Sequence, residues 1–89
     1  MTASVRMYAT NICPFCIQAE RLLRAKGVTD IEKVRIDLDP AQRITMMRQT
    51  GRRTVPQIYI GEVHVGGYEE LVALDRAGTL DALLAGSNV

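Results

Sequence analysis

Residues 5–16, which read VRMYATNICPFC, decide the fold of this chain. The apolar stretch 5–9 predicts a short strand, and a three-residue loop leads from it to Cys13 and Cys16. Pro14 suits the first position of a helix, because its missing N–H costs nothing there and its fixed φ is already helical. The two cysteines are therefore predicted to join a strand to the start of a helix.

This position gives the two sulfurs different predicted roles. The unpaired N–H groups and the positive dipole end of a helix stabilise a thiolate over a thiol, so Cys13 is the candidate nucleophile. In such sites the thiol pKa falls from about 8.5 to roughly 3.5–7.5. Cys16 lies one turn inside the helix and should be better hidden. Its predicted role is resolving, in which it attacks a mixed disulfide on Cys13 and closes an intramolecular bond.

Two other uses of the cysteine pair fit the sequence less well. Zinc requires four ligands, and the chain offers these two cysteines and one distant histidine, His64. A purely structural disulfide across so short a loop would remove little entropy from the unfolded chain. Redox chemistry is the preferred interpretation.

Composition limits the remaining possibilities. A chain of 89 residues with 47% hydrophobic residues predicts a single domain, residues 1–89, with one modest core. Its net charge of +1 argues against broad attraction to nucleic acid or to an anionic membrane. No secretory segment is recognised at residues 1–6, and no apolar run is long enough to cross a bilayer. We therefore expect a cytoplasmic protein, and in that compartment a C-x-x-C pair is more often catalytic than structural.

Hydrophobic patterning predicts an α/β fold in the order β-α-β-α-β-β-α, with a four-stranded mixed sheet flanked by helices. In the second predicted strand, residues 32–38, the side chains of Val34, Ile36 and Leu38 should share one buried face. The predicted strands are 5–9, 32–38, 57–60 and 63–65, and the predicted helices are 14–26, 40–49 and one or two helices over 71–84 interrupted near Gly78. Residues 86–89 are predicted to be a loose tail.

Four motifs at compatible spacings carry a resemblance to a known family: Tyr8, Cys13-Pro14-Phe15-Cys16, Thr54-Val55-Pro56 and Gly66-Gly67. In this order they resemble the glutaredoxins, small glutathione-dependent members of the thioredoxin-fold superfamily, and most of all the short bacterial dithiol type. The resemblance covers nearly the whole chain. It implies a thioredoxin-like fold and glutathione as co-substrate, with no metal or prosthetic group.

The resemblance also implies how glutathione binds. The Val55–Pro56 bond would be cis and face the cysteines, so that the Val55 backbone pairs with the extended ligand. The backbone of Tyr68 and Glu69 would hold the γ-glutamyl carboxylate, and Glu69 or Glu70 would face its ammonium. The implied glutathione-binding residues are Thr10, Phe15, Arg48, Arg53, Thr54, Val55, Pro56, Gly67, Tyr68, Glu69 and Glu70.

Several of these residues can also be explained without a role in glutathione binding. Arg48 and Arg53 would hold the glycine carboxylate of glutathione, or they are exposed cations near a helix end. Glu69 and Glu70 could serve only to complement a helix dipole. Thr10 stands where many relatives carry lysine, so more of the positive potential at the site must come from the helix and the arginines.

Other side chains are predicted to have structural roles. Arg52 is expected to be solvated surface, and His64 a surface-facing strand residue. Met46 and Met47 are expected to serve packing rather than metal ligation, and Tyr8 should be a core aromatic with a satisfied hydroxyl.

The predicted function is glutathione-dependent thiol–disulfide exchange that reduces protein disulfides and glutathione mixed disulfides. The expected partners are glutathione, protein disulfides and glutathionylated proteins, with no nucleic acid or membrane, and the expected state is a monomer. One alternative is a redoxin reduced by thioredoxin reductase. The other is an iron–sulfur carrier in which Cys13 of two subunits and two glutathiones hold a cluster.

Overall fold

The structure is a computed structural model and describes residues 3–86. Its elements are β1 Val5–Ala9, α1 Pro14–Ala25, β2 Ile31–Arg35, α2 Pro40–Thr50, β3 Gln57–Ile60, β4 Val63–Gly66, α3 Tyr68–Ala77 and α4 Leu80–Leu84. The predicted order is confirmed. The C-terminal helical region consists of two helices, because Gly78 ends α3 in a left-handed conformation with φ 80°.

The strands form one four-stranded mixed sheet in the order β2-β1-β3-β4. Strand β1 pairs in parallel with β2 and antiparallel with β3, and β3 pairs antiparallel with β4. The parallel pair is joined through α1, as a β-α-β unit requires. This arrangement places β1 inside the sheet, so the cysteine motif follows directly from a strand that is paired on both sides.

The second strand is shorter than the alternation of its residues predicted. It ends at Arg35, which pairs with Ala9, the last residue of β1. The Ile36 N–H still donates to the Ala9 carbonyl at 3.1 Å, and beyond it β1 has no further residue to pair with. Leu38, predicted to share a buried face with Ile36, is 72% exposed, so that prediction was wrong.

Hydrophobic side chains fill both faces of the sheet. The larger cluster lies against α1, α3 and α4 and includes Met7, Leu23 and Leu71, each fully buried. Helix α1 also buries Cys16 and Ala19 in this cluster. Because successive strand residues point to opposite faces, Tyr8, the residue after Met7, lies on the other face of the sheet.

The smaller cluster lies on that other face, where α2 packs. It contains Tyr8, Ile36 and Met46, with Met47 packed against it. The Tyr8 hydroxyl donates a hydrogen bond to Gln49 Oε1 at 3.0 Å. The predictions that Tyr8 is a satisfied core aromatic and that the two methionines contribute to packing are confirmed.

Two further expectations concern the chain ends and membranes. The predicted loose tail falls mostly on residues 87–89, which lie outside the described residues. Across residues 3–86, no helix has the length and apolar character needed to cross a bilayer.

Candidate active site

The cysteine pair occupies the start of α1, as predicted. Cys13 is the N-cap residue, with extended backbone at φ −150° and ψ 95°. Its Sγ accepts a hydrogen bond from the Cys16 backbone N–H at 3.1 Å, and Pro14 is the first residue of the helix. A hydrogen-bond donor and the positive end of a helix both stabilise negative charge on the Cys13 sulfur. The structure therefore gives Cys13 the environment of a thiolate nucleophile.

The two cysteines are joined as a disulfide, with Cα atoms 5.2 Å apart. Cys13 is 7% exposed and Cys16 is 4% exposed. Cys16 is thus the more buried of the two, but only slightly. What distinguishes the two sulfurs is the position of Cys13 at the helix terminus.

The loop that precedes Cys13 is held in place by the loop that follows β2. The Asn11 backbone N–H donates to Asp37 Oδ2 at 3.2 Å, and Arg35 forms an ion pair with the same carboxylate at 2.6 Å. The Arg35 hydrogen bonds, with help from Asn11, lower the pKa of Asp37 to about 2. A carboxylate that remains charged at neutral pH therefore anchors the loop.

The loop between α2 and β3 faces the cysteines. The Val55–Pro56 peptide bond is cis, as the resemblance implied. The Val55 carbonyl oxygen lies 3.8 Å from Cys13 Sγ. Pro56 is buried, Val55 is half-buried and Thr54 is exposed. A loop backbone in this position can pair with an extended peptide as the edge of a sheet does.

A groove of about 360 Å³ runs beside the cysteine helix, between this loop and the start of α3. Phe15 forms one wall, where its ring is stacked on Tyr68 with centroids 6.0 Å apart. The residues lining the groove are Phe15, Arg52, Thr54, Val55, Pro56, Gly67, Tyr68, Glu69 and Glu70. The structure thus brings together most of the residues that the resemblance assigned to glutathione.

Arg52 also lines this groove, contrary to the prediction that it is only solvated surface. Its Nη1 lies 2.5 Å from Glu70 Oε1, and the same oxygen accepts the Gly67 N–H at 2.8 Å. The Gly67 hydrogen bond, followed by Arg52, lowers the pKa of the Glu70 carboxyl. Gly66 leaves room for this arrangement, because a Cβ there would lie 2.5 Å from Glu70 Oε1.

Three predicted ligand residues do not line the groove. Thr10 lines a separate cavity of about 210 Å³ that Cys16 also borders. Arg48 and Arg53 are exposed, and within residues 3–86 neither guanidinium forms an ion pair or a side-chain hydrogen bond. Among the three arginines near the end of α2, the one that reaches the groove is Arg52.

Gln57 and His64 form a polar contact that sequence reasoning missed. His64 Nε2 lies 2.8 Å from Gln57 Oε1, and the imidazole packs on Tyr59 with ring centroids 5.0 Å apart. Burial, followed by the nearby Arg52 charge, lowers the pKa of His64. His64 lies on β4, so its predicted place in a strand is confirmed, and it is half-buried there. The available signal was a glutamine in an otherwise apolar strand, where a buried amide requires a partner.

Within the described part of the chain, no three His, Cys, Asp or Glu side chains are close enough to hold a metal ion.

Comparison with known proteins gives one consistent result. The family model described as Glutaredoxin matches residues 5–65. A glutaredoxin of Pseudomonas aeruginosa is 52% identical over 81 residues, which cover 91% of this chain and 95% of the relative. Glutaredoxin 3 of Escherichia coli K12 is 45% identical over 82 residues, covering 92% of this chain and 98% of the relative. The solution structure of a Brucella melitensis glutaredoxin is 39% identical and superposes with a TM-score of 0.84, covering 99% of this chain and 96% of that one.

Proposed function

The chain belongs to the glutaredoxin family of thiol–disulfide oxidoreductases, and we propose that it uses glutathione to reduce glutathione mixed disulfides and protein disulfides. Cys13 is the nucleophile in this proposal, and Cys16 is the resolving cysteine. The observation that carries it is the position of Cys13 Sγ, which caps α1 and lies 3.8 Å from the Val55 carbonyl at the groove.

The first route removes glutathione from a protein thiol. The Cys13 thiolate attacks the glutathione sulfur of the mixed disulfide, and the protein thiolate leaves and takes up a proton. This step forms a disulfide between Cys13 and glutathione. The thiolate of a second glutathione then attacks the glutathione sulfur of that bond, which releases glutathione disulfide and restores the Cys13 thiolate. Each turnover consumes one glutathione thiol, reduces the protein sulfur to a thiol and releases one glutathione disulfide.

The second route reduces a disulfide within a protein. Cys13 attacks one of its sulfurs and releases the other as a thiol. Cys16 then attacks Cys13, which frees the substrate in its dithiol form and leaves the disulfide between Cys13 and Cys16. Two glutathione molecules reduce this bond in sequence and leave as glutathione disulfide. In this proposal, the disulfide between Cys13 and Cys16 is the oxidised form of that cycle.

The groove supplies the proposed contacts to glutathione. The Val55 backbone pairs with the extended tripeptide, and the Tyr68 and Glu69 N–H groups at the start of α3 hold its γ-glutamyl carboxylate. Glu69 is better placed than Glu70 to face the ammonium, because Glu70 already binds Arg52 and the Gly67 N–H. We assign the contact with a ligand carboxylate to Arg52, which lines the groove where Arg48 and Arg53 do not.

The test is reduction of a glutathionylated peptide, coupled to glutathione reductase and NADPH, by wild type, Cys13→Ser and Cys16→Ser. The proposal predicts loss of turnover with Cys13→Ser and retention with Cys16→Ser, because the first route needs only Cys13. With an insulin-type protein disulfide as substrate, Cys16→Ser should also fail.

The same assay separates the alternatives. A wild type that is inactive with glutathione but active with thioredoxin reductase would replace the proposed function with that of a thioredoxin-reductase-dependent redoxin. The iron–sulfur alternative predicts a visible absorption band and a dimer after anaerobic reconstitution with iron, sulfide and glutathione. A colourless monomer would count against it.

A further inference from the structure

Gln57 is a buried polar side chain at the entrance of β3, next to the cis proline. It is 0% exposed, and it is the sole polar residue in the buried set of residues 3–86. An amide in such a place is costly unless its donors and acceptor are all paired. Its hydrogen bonds therefore indicate what this position requires.

The Gln57 side chain connects two different elements. Its Nε2 donates to the Thr54 carbonyl at 2.9 Å, with a longer contact of 3.4 Å to Thr54 Oγ1. Its Oε1 lies 2.8 Å from His64 Nε2 on β4. Since the amide nitrogen faces Thr54, the Gln57 oxygen must accept, and His64 Nε2 must donate. The contact to His64 therefore sets the rotation of the Gln57 amide.

This connection reaches around the cis bond of the active-site loop. The Gln57 backbone is fixed in the sheet opposite Tyr8 of β1. Its side chain turns back to Thr54, the residue before Val55. The Thr54 carbonyl belongs to the peptide unit that carries the Val55 N–H, so a hydrogen bond to this carbonyl fixes the orientation of that N–H.

We propose that Gln57 is a positioning residue for glutathione and that His64 in turn positions Gln57. Together they hold the Thr54–Val55 peptide unit so that the Val55 backbone presents its hydrogen-bonding groups to the ligand. The inference rests on the proposed function, because it needs a ligand that pairs with Val55. It assigns Gln57 no part in the reactivity of Cys13, which depends on the start of α1.

Two variants of similar size test the role of Gln57. Gln57→Met removes both hydrogen bonds. Gln57→Glu keeps an acceptor for His64 but offers no donor to the Thr54 carbonyl. Its second carboxylate oxygen would instead face the Thr54 carbonyl oxygen. We expect both variants to raise the KM for a glutathionylated peptide by about tenfold, because both lose the hydrogen bond to the Thr54 carbonyl.

A second readout separates positioning from general damage to the fold. The rate at which iodoacetamide alkylates the reduced protein reports Cys13 reactivity and does not involve the groove. It should remain within about twofold of wild type while KM rises, since the start of α1 is unchanged. Tyr59→Phe is the matched control, because it alters the same face of β3 while keeping the aromatic ring beside His64. It should change neither quantity.

A wild-type KM in Gln57→Glu would overturn the inference, because the donor to Thr54 would then be dispensable. Parallel loss of kcat, alkylation rate and unfolding temperature would also overturn it, since that pattern indicates a purely structural role. If the Gln57 variants do not fold, His64→Phe decides. We expect it to raise KM about threefold by releasing the amide, and an unchanged KM would contradict the proposal. A wild type without glutathione activity would remove the proposed function itself, which is a distinguishable result.

Discussion

The N-termini of two helices meet the same groove, and they are built differently. Helix α1 begins with the Cys13 sulfur as its cap and has no acidic residue in its first turn. Helix α3 begins with Gly67, which has no side chain, and carries Glu69 and Glu70 in its first turn. Glu70 folds back onto the Gly67 N–H and also binds Arg52.

The difference shows how the positive N-terminal end of a helix can serve two purposes. In α1 the positive end of the helix acts on a sulfur that belongs to the chain, so it favours a reactive thiolate. In α3 the same kind of terminus is balanced by two carboxylates, and an arginine offsets one of them. In the proposed function, the start of α1 therefore provides reactivity, and the start of α3 provides a polar surface for recognition of glutathione.

Cys13→Ser removes the sulfur from α1 but keeps a capping side chain, and it should have the largest effect. Serine is a preferred N-cap residue, so the helix should begin at the same place. Its hydroxyl is a poor nucleophile at neutral pH, and turnover should fall by about a thousandfold or more. Coupled turnover and the thermal unfolding of the reduced proteins measure the two properties. A loss of activity matched by an equal loss of folded protein would contradict this separation.

Gly66→Ala disturbs the turn that leads into α3. Gly66 has φ 112°, and a Cβ there would lie 2.5 Å from Glu70 Oε1 and 3.2 Å from Arg52 Nη1. We expect a loss of about 1–3 kcal/mol in the free energy of unfolding. The KM for a glutathionylated peptide should also rise, because Glu70 and Arg52 must move.

Gly78→Ala is the matched control for that variant. Gly78 also has positive φ, 80°, but a Cβ there would meet no atom within 4 Å. It should therefore destabilise the protein through backbone strain alone and leave KM unchanged. Equal changes in KM for the two alanine variants would show that the arrangement of Glu70 and Arg52 does not matter for binding.

Glu70→Gln keeps a group that can accept from the Gly67 N–H but removes the charge that faces Arg52. The pKa of Glu70 is lowered in the folded protein, so its stabilising contribution is fully present above the ordinary value of 4.5. It is lost as the pH falls through the lower pKa of the folded state. At pH 7 the variant should be less stable by about 0.5 kcal/mol, because the ion pair is largely solvated.

Urea unfolding at a series of pH values measures this difference. The gap between wild type and Glu70→Gln should close as the pH falls below 4.5. A gap that stays constant down to pH 3 would show that the charge is not its source.

Asp39→Ala tests a third helix terminus and should have the smallest effect on activity. Helix α2 also begins with proline, and Asp39 Oδ1 accepts the Ala41 N–H at 3.1 Å. Loss of this cap should cost about 1 kcal/mol in the free energy of unfolding. Turnover should not change, since Asp39 does not line the groove. A fall in kcat larger than the loss of folded protein would contradict this prediction, because it would show that the cap of α2 acts on the site.

The features that the sequence predicted well depend on local rules. A proline after Cys13 and another after Asp39 mark two helix starts, and both lie where expected. The end of β2 was not predicted, because the alternation of Ile36 and Leu38 continues past the last residue of β1. Pairing between strands sets that boundary, and a single strand pattern carries no information about the length of its partner.

The sequence also could not show which of the three arginines near Gly51 lines the groove. Arg48, Arg52 and Arg53 are equivalent in charge, and their distance from Gly51 does not indicate which one reaches α3. Arg52 and Glu70 are 18 positions apart in sequence, so only the packed fold brings them together. Likewise, the sequence identified His64 as a strand residue but not its contact with Gln57, which arises from the pairing of β3 with β4.

The central position of β1 has a consequence for the order in which the protein opens. Met7 is fully buried and faces Lys33 on one side and Ile58 on the other, so its amide lies between two neighbouring strands. Amides in such strands exchange with solvent deuterium only when the whole domain unfolds, whereas edge strands exchange through smaller fluctuations. The segment leading to Cys13 should thus be among the slowest-exchanging parts of the protein. Strand β1 would therefore stay hydrogen-bonded and hold the start of α1 in place while the edge strands β2 and β4 fluctuate.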